Sequence, residues 1–251
     1  VITSLISLQK TLRESRKAIL WLAISFASWW KKNIFLFNMN MKEAIILAGG
    51  LGTRLREVVP DLPKCMASVG GRPFLFYLIN QLRRERVEKF IFSLGYKHKI
   101  VEDYLSGHFS MLNYSCIVEN EPLGTGGATR LACQQTTEEN VIVVNGDTLF
   151  DVDTDELFAF HLQRDAESNS IKDFKEKQFY QIGLINGGVY IMNVVKFLEK
   201  KFDAKFSYEK DYLERYCQGG KIYGLIQDGY FIDIGISCDY ERAQAAFPGL
   251  C

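Results

Sequence analysis

The 251-residue chain carries thirty basic and thirty acidic residues. That balance speaks against a nucleic-acid-binding surface, which needs a basic excess, and it leaves room for a nucleotide enzyme, which needs only local positive charge. Six cysteines and three histidines are scattered without a C-x-x-C, so neither zinc spacing nor a disulfide framework is present, and reduced thiols in a cytoplasmic protein are expected.

Residues 1–40 differ in character from the remainder of the chain. Lys17 and Lys31 flank an uncharged run, AILWLAISFASWW, which is short of the ~20 residues a membrane span wants. Three readings stand: an extension without a role, an amphipathic helix lying on the domain or on a membrane surface, and a membrane anchor. No membrane partner is expected for the domain itself, which is taken to run from Met41 to Cys251. At that length one large α/β domain with a generous core is expected.

From Met41 the strand and helix signals alternate. Ala44–Ala48 is an apolar strand that breaks into the glycine-rich turn Gly49-Gly50-Leu51-Gly52-Thr53, followed by Arg54 and later Pro63-Lys64. The apolar spacing of Pro73–Arg86 predicts a helix. Lys89–Leu94 reads as a strand, Lys99–Leu105 as a short helix and Asn113–Glu119 as a strand. Gly124–Gln135 starts glycine-rich and becomes helical. The β-branched run Val141–Val144 is expected to be buried on both faces, and Asp153–Gln163 reads as an amphipathic helix. This order predicts a Rossmann-like, mostly parallel sheet with helices on both faces. Ligands then collect at the carboxyl ends of the strands, where the glycine loop, the turn Glu121–Ala128 and Asn145-Gly146-Asp147 would share one rim.

Each stretch has a chemical reading and a plainer one. Backbone N–H groups of a glycine loop can cradle phosphate, with Arg54 and Lys64 adding full charges; the loop could equally be a tight strand-to-helix turn. Asp147 and Asp233 each end an apolar strand and could share one Mg²⁺, or Asp147 could cap a turn. The bare Leu123–Gly127 turn could let a base lie against main chain, or merely start a helix. Asp151, Asp153 and Asp155 suit a helix start. Lys175-Glu176-Lys177 alone reads as solvated surface, and Asn186-Gly187-Gly188 as a turn before a strand.

In their order, LAGGLGTRL with PK, EPLGTGGA, NGD, FKEK, INGGVY and DIG resemble the sugar-1-phosphate nucleotidyltransferases, over about Met41 to Phe247. The resemblance implies a Mg²⁺-dependent enzyme whose partners are a nucleoside triphosphate and a sugar 1-phosphate. It also implies residue roles. Leu47, Ala48, Gly49, Gly50, Gly52, Thr53, Leu123, Gly124 and Thr125 bind the nucleotide. Arg54 and Lys64 neutralise phosphate charge, and with Asp147 they are catalytic. Asp147 and Asp233 hold the metal. Glu176, Lys177, Asn186 and Gly187 face the sugar phosphate. The wording of EPLGTGGA, GLINGGVYIMN and FSYEKDYLE leans toward guanylyltransferases of heptose 1-phosphate type, although mannose-1-phosphate guanylyltransferases and uridylyltransferases share most of it. Homo-oligomer formation stays open. One departure stands out. Family members carry a core strand and hairpin before FKEK, whereas here His161–Glu167 runs almost directly into Ser168–Phe174. If that segment is absent, the sugar side and turnover are in question, and a homologue that binds without catalysing is the alternative.

Overall fold

The computed structural model describes residues 42–50, 52, 55, 58–163, 169–175 and 183–247. In chain order the elements are β1 (Lys42–Ala48), the short ribbon β2 (Ser68–Val69) and β3 (Arg72–Pro73), α1 (Phe74–Arg84), β4 (Val87–Leu94), α2 (His98–His108), β5 (Tyr114–Val118) and α3 (Gly124–Ala132). They continue with β6 (Asn140–Asn145), β7 (Thr148–Phe150), α4 (Thr154–Gln163), β8 (Val189–Asn193), α5 (Val194–Leu198), α6 (Glu214–Cys217), β9 (Phe231–Asp233) and α7 (Ser237–Ala246).

β1 lies at the centre of a five-stranded sheet ordered β5-β4-β1-β6-β8. Its pairings with β4 and β6, and that of β4 with β5, are parallel; β8 closes one edge antiparallel to β6. The mostly parallel sheet layered with helices is the fold class read from the sequence. Val141, Ile142, Val143 and Val144 are buried, as expected for a β-branched run with layers on both sides. Alternation along the strands divides the apolar side chains between two faces. Ile45, Ile91, Val141 and Val143 pack with Ala132 of α3 and with Phe197, Phe206 and Tyr208. A second cluster joins Phe74 and Tyr77 of α1 to Leu149 of β7, Ile232 of β9 and Phe247.

Two charges are buried at the start of β1. Glu43 is 0% exposed. It accepts from Lys89 Nζ (2.9 Å), the Thr137 N–H (2.8 Å), the Glu138 N–H (3.2 Å) and the Thr137 hydroxyl. Lys42 donates to the Glu85 carbonyl (2.9 Å) and the Thr154 hydroxyl (2.8 Å) and pairs with Asp155. Two of the aspartates around the start of α4 act structurally, as their pattern suggests: Asp153 accepts the Glu156 N–H at 2.9 Å, and Asp155 holds Lys42 and Arg86.

Between α4 and β8 the described residues hold one isolated bridge, Ser170 with Tyr223, and β6 pairs directly with β8. Among the described residues no helix is long and apolar enough to cross a membrane. Residues 1–40 lie outside the described residues.

Candidate active site

The carboxyl end of β1 opens into the glycine loop. The Gly49 carbonyl accepts the Tyr96 N–H at 3.3 Å, and a side chain on Gly49 would meet Oε1 of Glu119 at 2.5 Å. Only bare backbone fits between the ends of β4 and β5 at that point. Gly52 has φ of +62°, a conformation that residues with a Cβ resist. A Cβ there would also stand 2.9 Å from Cγ of Lys64, so the loop lies directly on the lysine. Gly50 is exposed, Leu47 is half-buried and Ala48 is buried. Thr53 and Arg54 fall outside the described residues.

Lys64 begins a short 3-10 turn after Pro63. Its Nζ donates to Oδ2 of Asp147 at 3.0 Å. The turn carrying Asp147 is seated on β1 by the Gly146 N–H, which donates to the Leu47 carbonyl at 2.9 Å. Asp233 arrives through a separate pairing. β9 runs antiparallel to β7 with Asp233 opposite Thr148, and the Ile234 N–H donates to the Asp147 carbonyl at 2.9 Å. Oδ1 of Asp233 accepts the Gly235 N–H at 2.6 Å. A side chain on Gly235 would stand 3.3 Å from Lys64 Nζ and 2.8 Å from Asp233 Oδ1. Lys64, Asp147 and Asp233 therefore share one small volume beside the glycine loop. The neighbouring Cys65 thiol is pushed up to about 12, by burial first and then by the charge of Asp147. It is no nucleophile at neutral pH.

The turn after β5 lies beside this volume. Oε2 of Glu119 accepts the Leu123 N–H at 2.8 Å, while Oε1 abuts Gly49. Burial holds the Glu119 carboxyl above its ordinary range, and the Leu123 N–H pulls it the other way. Glu119 thus links the glycine loop to the turn expected to meet the base, a contact that the sequence motifs do not reveal. A glutamate ending a strand has no local signature. Its place at the carboxyl end of β5, under the same rule that points to Asp147, was the available signal. Gly124 is exposed. The Thr125 hydroxyl is engaged elsewhere: it donates to Glu209 at 2.6 Å and accepts the Tyr208 N–H at 2.8 Å.

On the expected sugar side, Asn186 Nδ2 donates to the Tyr190 hydroxyl at 2.6 Å and Oδ1 accepts the Gly188 N–H at 3.1 Å. Gly187 lies against the Phe150 ring. The Asn145 N–H donates to the Gly188 carbonyl at 3.4 Å, which puts this turn two residues from Asp147. Glu176 and Lys177 fall outside the described residues.

A parallel sheet whose carboxyl rim gathers a glycine loop, a lysine and two aspartates defines an α/β enzyme acting on nucleotides. Residues 43–200 match the Nucleotidyl transferase family, and the chain belongs to that family. It is 43% identical, over 222 residues, to the D-glycero-alpha-D-manno-heptose 1-phosphate guanylyltransferase of Aneurinibacillus thermoaerophilus, across 80% of this chain and 96% of that protein. The enzyme of the same name from Campylobacter jejuni is 35% identical across 79% of this chain and 96% of its own. Among solved structures, HddC from Yersinia pseudotuberculosis is 33% identical with a TM-score of 0.68, covering 82% of this chain and all of its own (100%); it has also been solved complexed with GMP-PN. The first alignment spans 222 residues, yet 80% of this 251-residue chain is about 200. About 20 of the relative's positions thus have no counterpart here.

Proposed function

We infer that the chain transfers a guanylyl group from GTP to a sugar 1-phosphate, with D-glycero-α-D-manno-heptose 1-phosphate the first candidate, and releases pyrophosphate. The observation that carries the chemistry is the convergence of Lys64, Asp147 and the Asp233 strand beside the glycine loop. An oxygen of the sugar phosphate attacks the α-phosphorus of GTP; that P–O bond forms as the bond to the β-phosphate oxygen breaks. Little covalent work falls to the protein, so positioning and charge neutralisation supply the rate. The Lys64 ammonium neutralises the α-phosphate, and the loop amides hold the triphosphate. By family resemblance, Arg54 takes the departing phosphates, and Glu176, Lys177, Asn186 and Gly187 hold the sugar phosphate.

The preference for guanine is supported by the relatives, two heptose 1-phosphate guanylyltransferases at 43% and 35% identity. Asp147 and Asp233 fit Mg²⁺. Both are oxygen donors on one rim, and this ion takes one or two carboxylates while sharing its other positions with water and substrate phosphates. When bound, Mg²⁺ supplies charge neutralisation at the phosphates. A cytoplasmic site of action accords with free thiols at all five described cysteines.

Incubating the chain with GTP, Mg²⁺ and heptose 1-phosphate should release pyrophosphate. No release with any pairing of nucleoside triphosphate and sugar 1-phosphate would overturn the reading. One observation favours a second reading, a homologue that binds without turnover: the roughly 20 positions missing relative to the A. thermoaerophilus enzyme. Thermal stabilisation by GTP without pyrophosphate release would decide for it.

A further inference from the structure

The turn Leu123–Gly127 has glycine at three of its five positions. It forms the first turn of α3, whose leading N–H groups find no partner within the helix and are met from outside. The segment Asp203–Glu209 supplies the partners. The Phe206 N–H donates to the Leu123 carbonyl at 3.0 Å, and the Phe206 carbonyl accepts the N–H groups of Gly126 (2.9 Å) and Gly127 (3.3 Å). A side chain on Gly126 would stand 2.2 Å from the Phe206 ring. Arg130, one helical turn on, donates to the carbonyls of Phe202, Asp203 and Ala204. At the centre is Glu209, a buried carboxylate. Its Oε2 accepts the Thr125 hydroxyl at 2.6 Å and the Ser207 hydroxyl at 3.1 Å. Thr125 in turn accepts the Tyr208 N–H at 2.8 Å.

We propose that Glu209 is a positioning residue for the nucleotide: through Thr125 its buried carboxylate fixes the turn Leu123–Gly127, against which the base of the nucleoside triphosphate lies. The proposal rests on reading the site as one for nucleotidyl transfer. Its physical basis is a population argument. A glycine-rich turn released from the clasp samples many conformations, and the apparent dissociation constant rises by the inverse of the fraction that remains competent. A charge-assisted hydrogen bond is strong enough to move that fraction about tenfold. Glu209 meets the first turn of α3 at Thr125, so the two residues are expected to act as one unit.

The test uses the full chain with Mg²⁺ and GTP, measuring the GTP dissociation constant, kcat at saturating GTP, and Tm for Glu209→Met, Thr125→Val and the pair together. Each single change is expected to raise the GTP dissociation constant about tenfold with kcat largely kept, and the pair to cost no more than the worse single change. A lower Tm with unchanged GTP affinity would overturn the proposal in favour of a purely structural contact. Additive losses in the pair would also overturn it. Should Glu209→Met fail to fold, Thr125→Val is set against Thr125→Ser. Serine keeps the hydroxyl and is expected to recover most of the affinity that valine loses; equal losses overturn the proposal. If the unaltered chain binds no GTP, the nucleotidyl-transfer reading itself falls, and the proposal with it.

Discussion

Under the proposed function, Lys64 and Asp147 are the residues expected to bear most directly on turnover. The lysine lies on the glycine loop at Gly52 and holds Asp147 at 3.0 Å, so each presets the other's position. Asp147→Asn is expected to lower the rate of pyrophosphate release about a hundredfold or more, with Tm nearly unchanged because the residue sits on a surface rim. Steady-state rates alongside a melting curve check both parts. Steric predictions also belong here. At Gly126 an added methyl group would overlap the Phe206 ring, so Gly126→Ala should cost about 1–3 kcal/mol of stability, measurable by denaturant unfolding. Gly50, with nothing near its Cβ position among the described residues, should tolerate alanine with little loss of stability. Local patterns made Gly49, Gly52, Lys64 and Asp147 legible, because a strand, a break and a charged residue are adjacent in sequence. Glu119 and Glu209 were not legible in this way. Each works through partners that only folding brings near.

Among the elements, β1 does two jobs: its carboxyl end opens into the glycine loop, and its start buries Glu43 and Lys42. Their pH responses have opposite origins. Burial alone would raise the Glu43 carboxyl, but hydrogen bonds from Thr137, Lys89 and Glu138 together bring it below its ordinary value. The folded value is then below the unfolded one. This group's stabilisation is therefore fully present above about pH 4.3, near the unfolded carboxylate pKa, and is lost as pH falls through the folded value. The Tm deficit of Glu43→Gln should be full at neutral pH and shrink in acid. Lys42 is lowered to about 8, chiefly by burial and then by Arg86. Between there and about pH 10.4, the unfolded lysine pKa, the unfolded chain holds more protons, so this group makes stability rise with pH. Urea midpoints measured across that interval should show the rise, and Lys42→Met should lack it. The strands themselves were readable in outline from apolar runs and periodicity. The helix expected at Lys99–Leu105 extends over His98–His108, since polar end residues hide a helix boundary from a periodicity test.

Across the whole molecule, the HddC chain is covered completely by 82% of this one, and the family match begins at residue 43. A chain starting at Met41 should therefore keep the GTP affinity and pyrophosphate release of the full chain within about twofold; a tenfold loss in either would assign residues 1–40 a part in the site. β8 pairs antiparallel to β6 at the edge of the sheet, and just before it Leu184 and Ile185 stand 77% and 73% exposed.

The sequence by itself determined the alternating α/β order and the shared carboxyl rim that carries the glycine loop, because these follow from adjacent residues and from the handedness of parallel strand connections. Only the tertiary structure decided which side chains meet: that β9 pairs with β7 and carries Asp233 to Asp147, that Glu119 spans the phosphate loop and the base turn, and that Thr125 faces Glu209. Those contacts join residues far apart in the chain. They depend on strand register and on the packing of the segment after α5, neither of which has a local sequence signature.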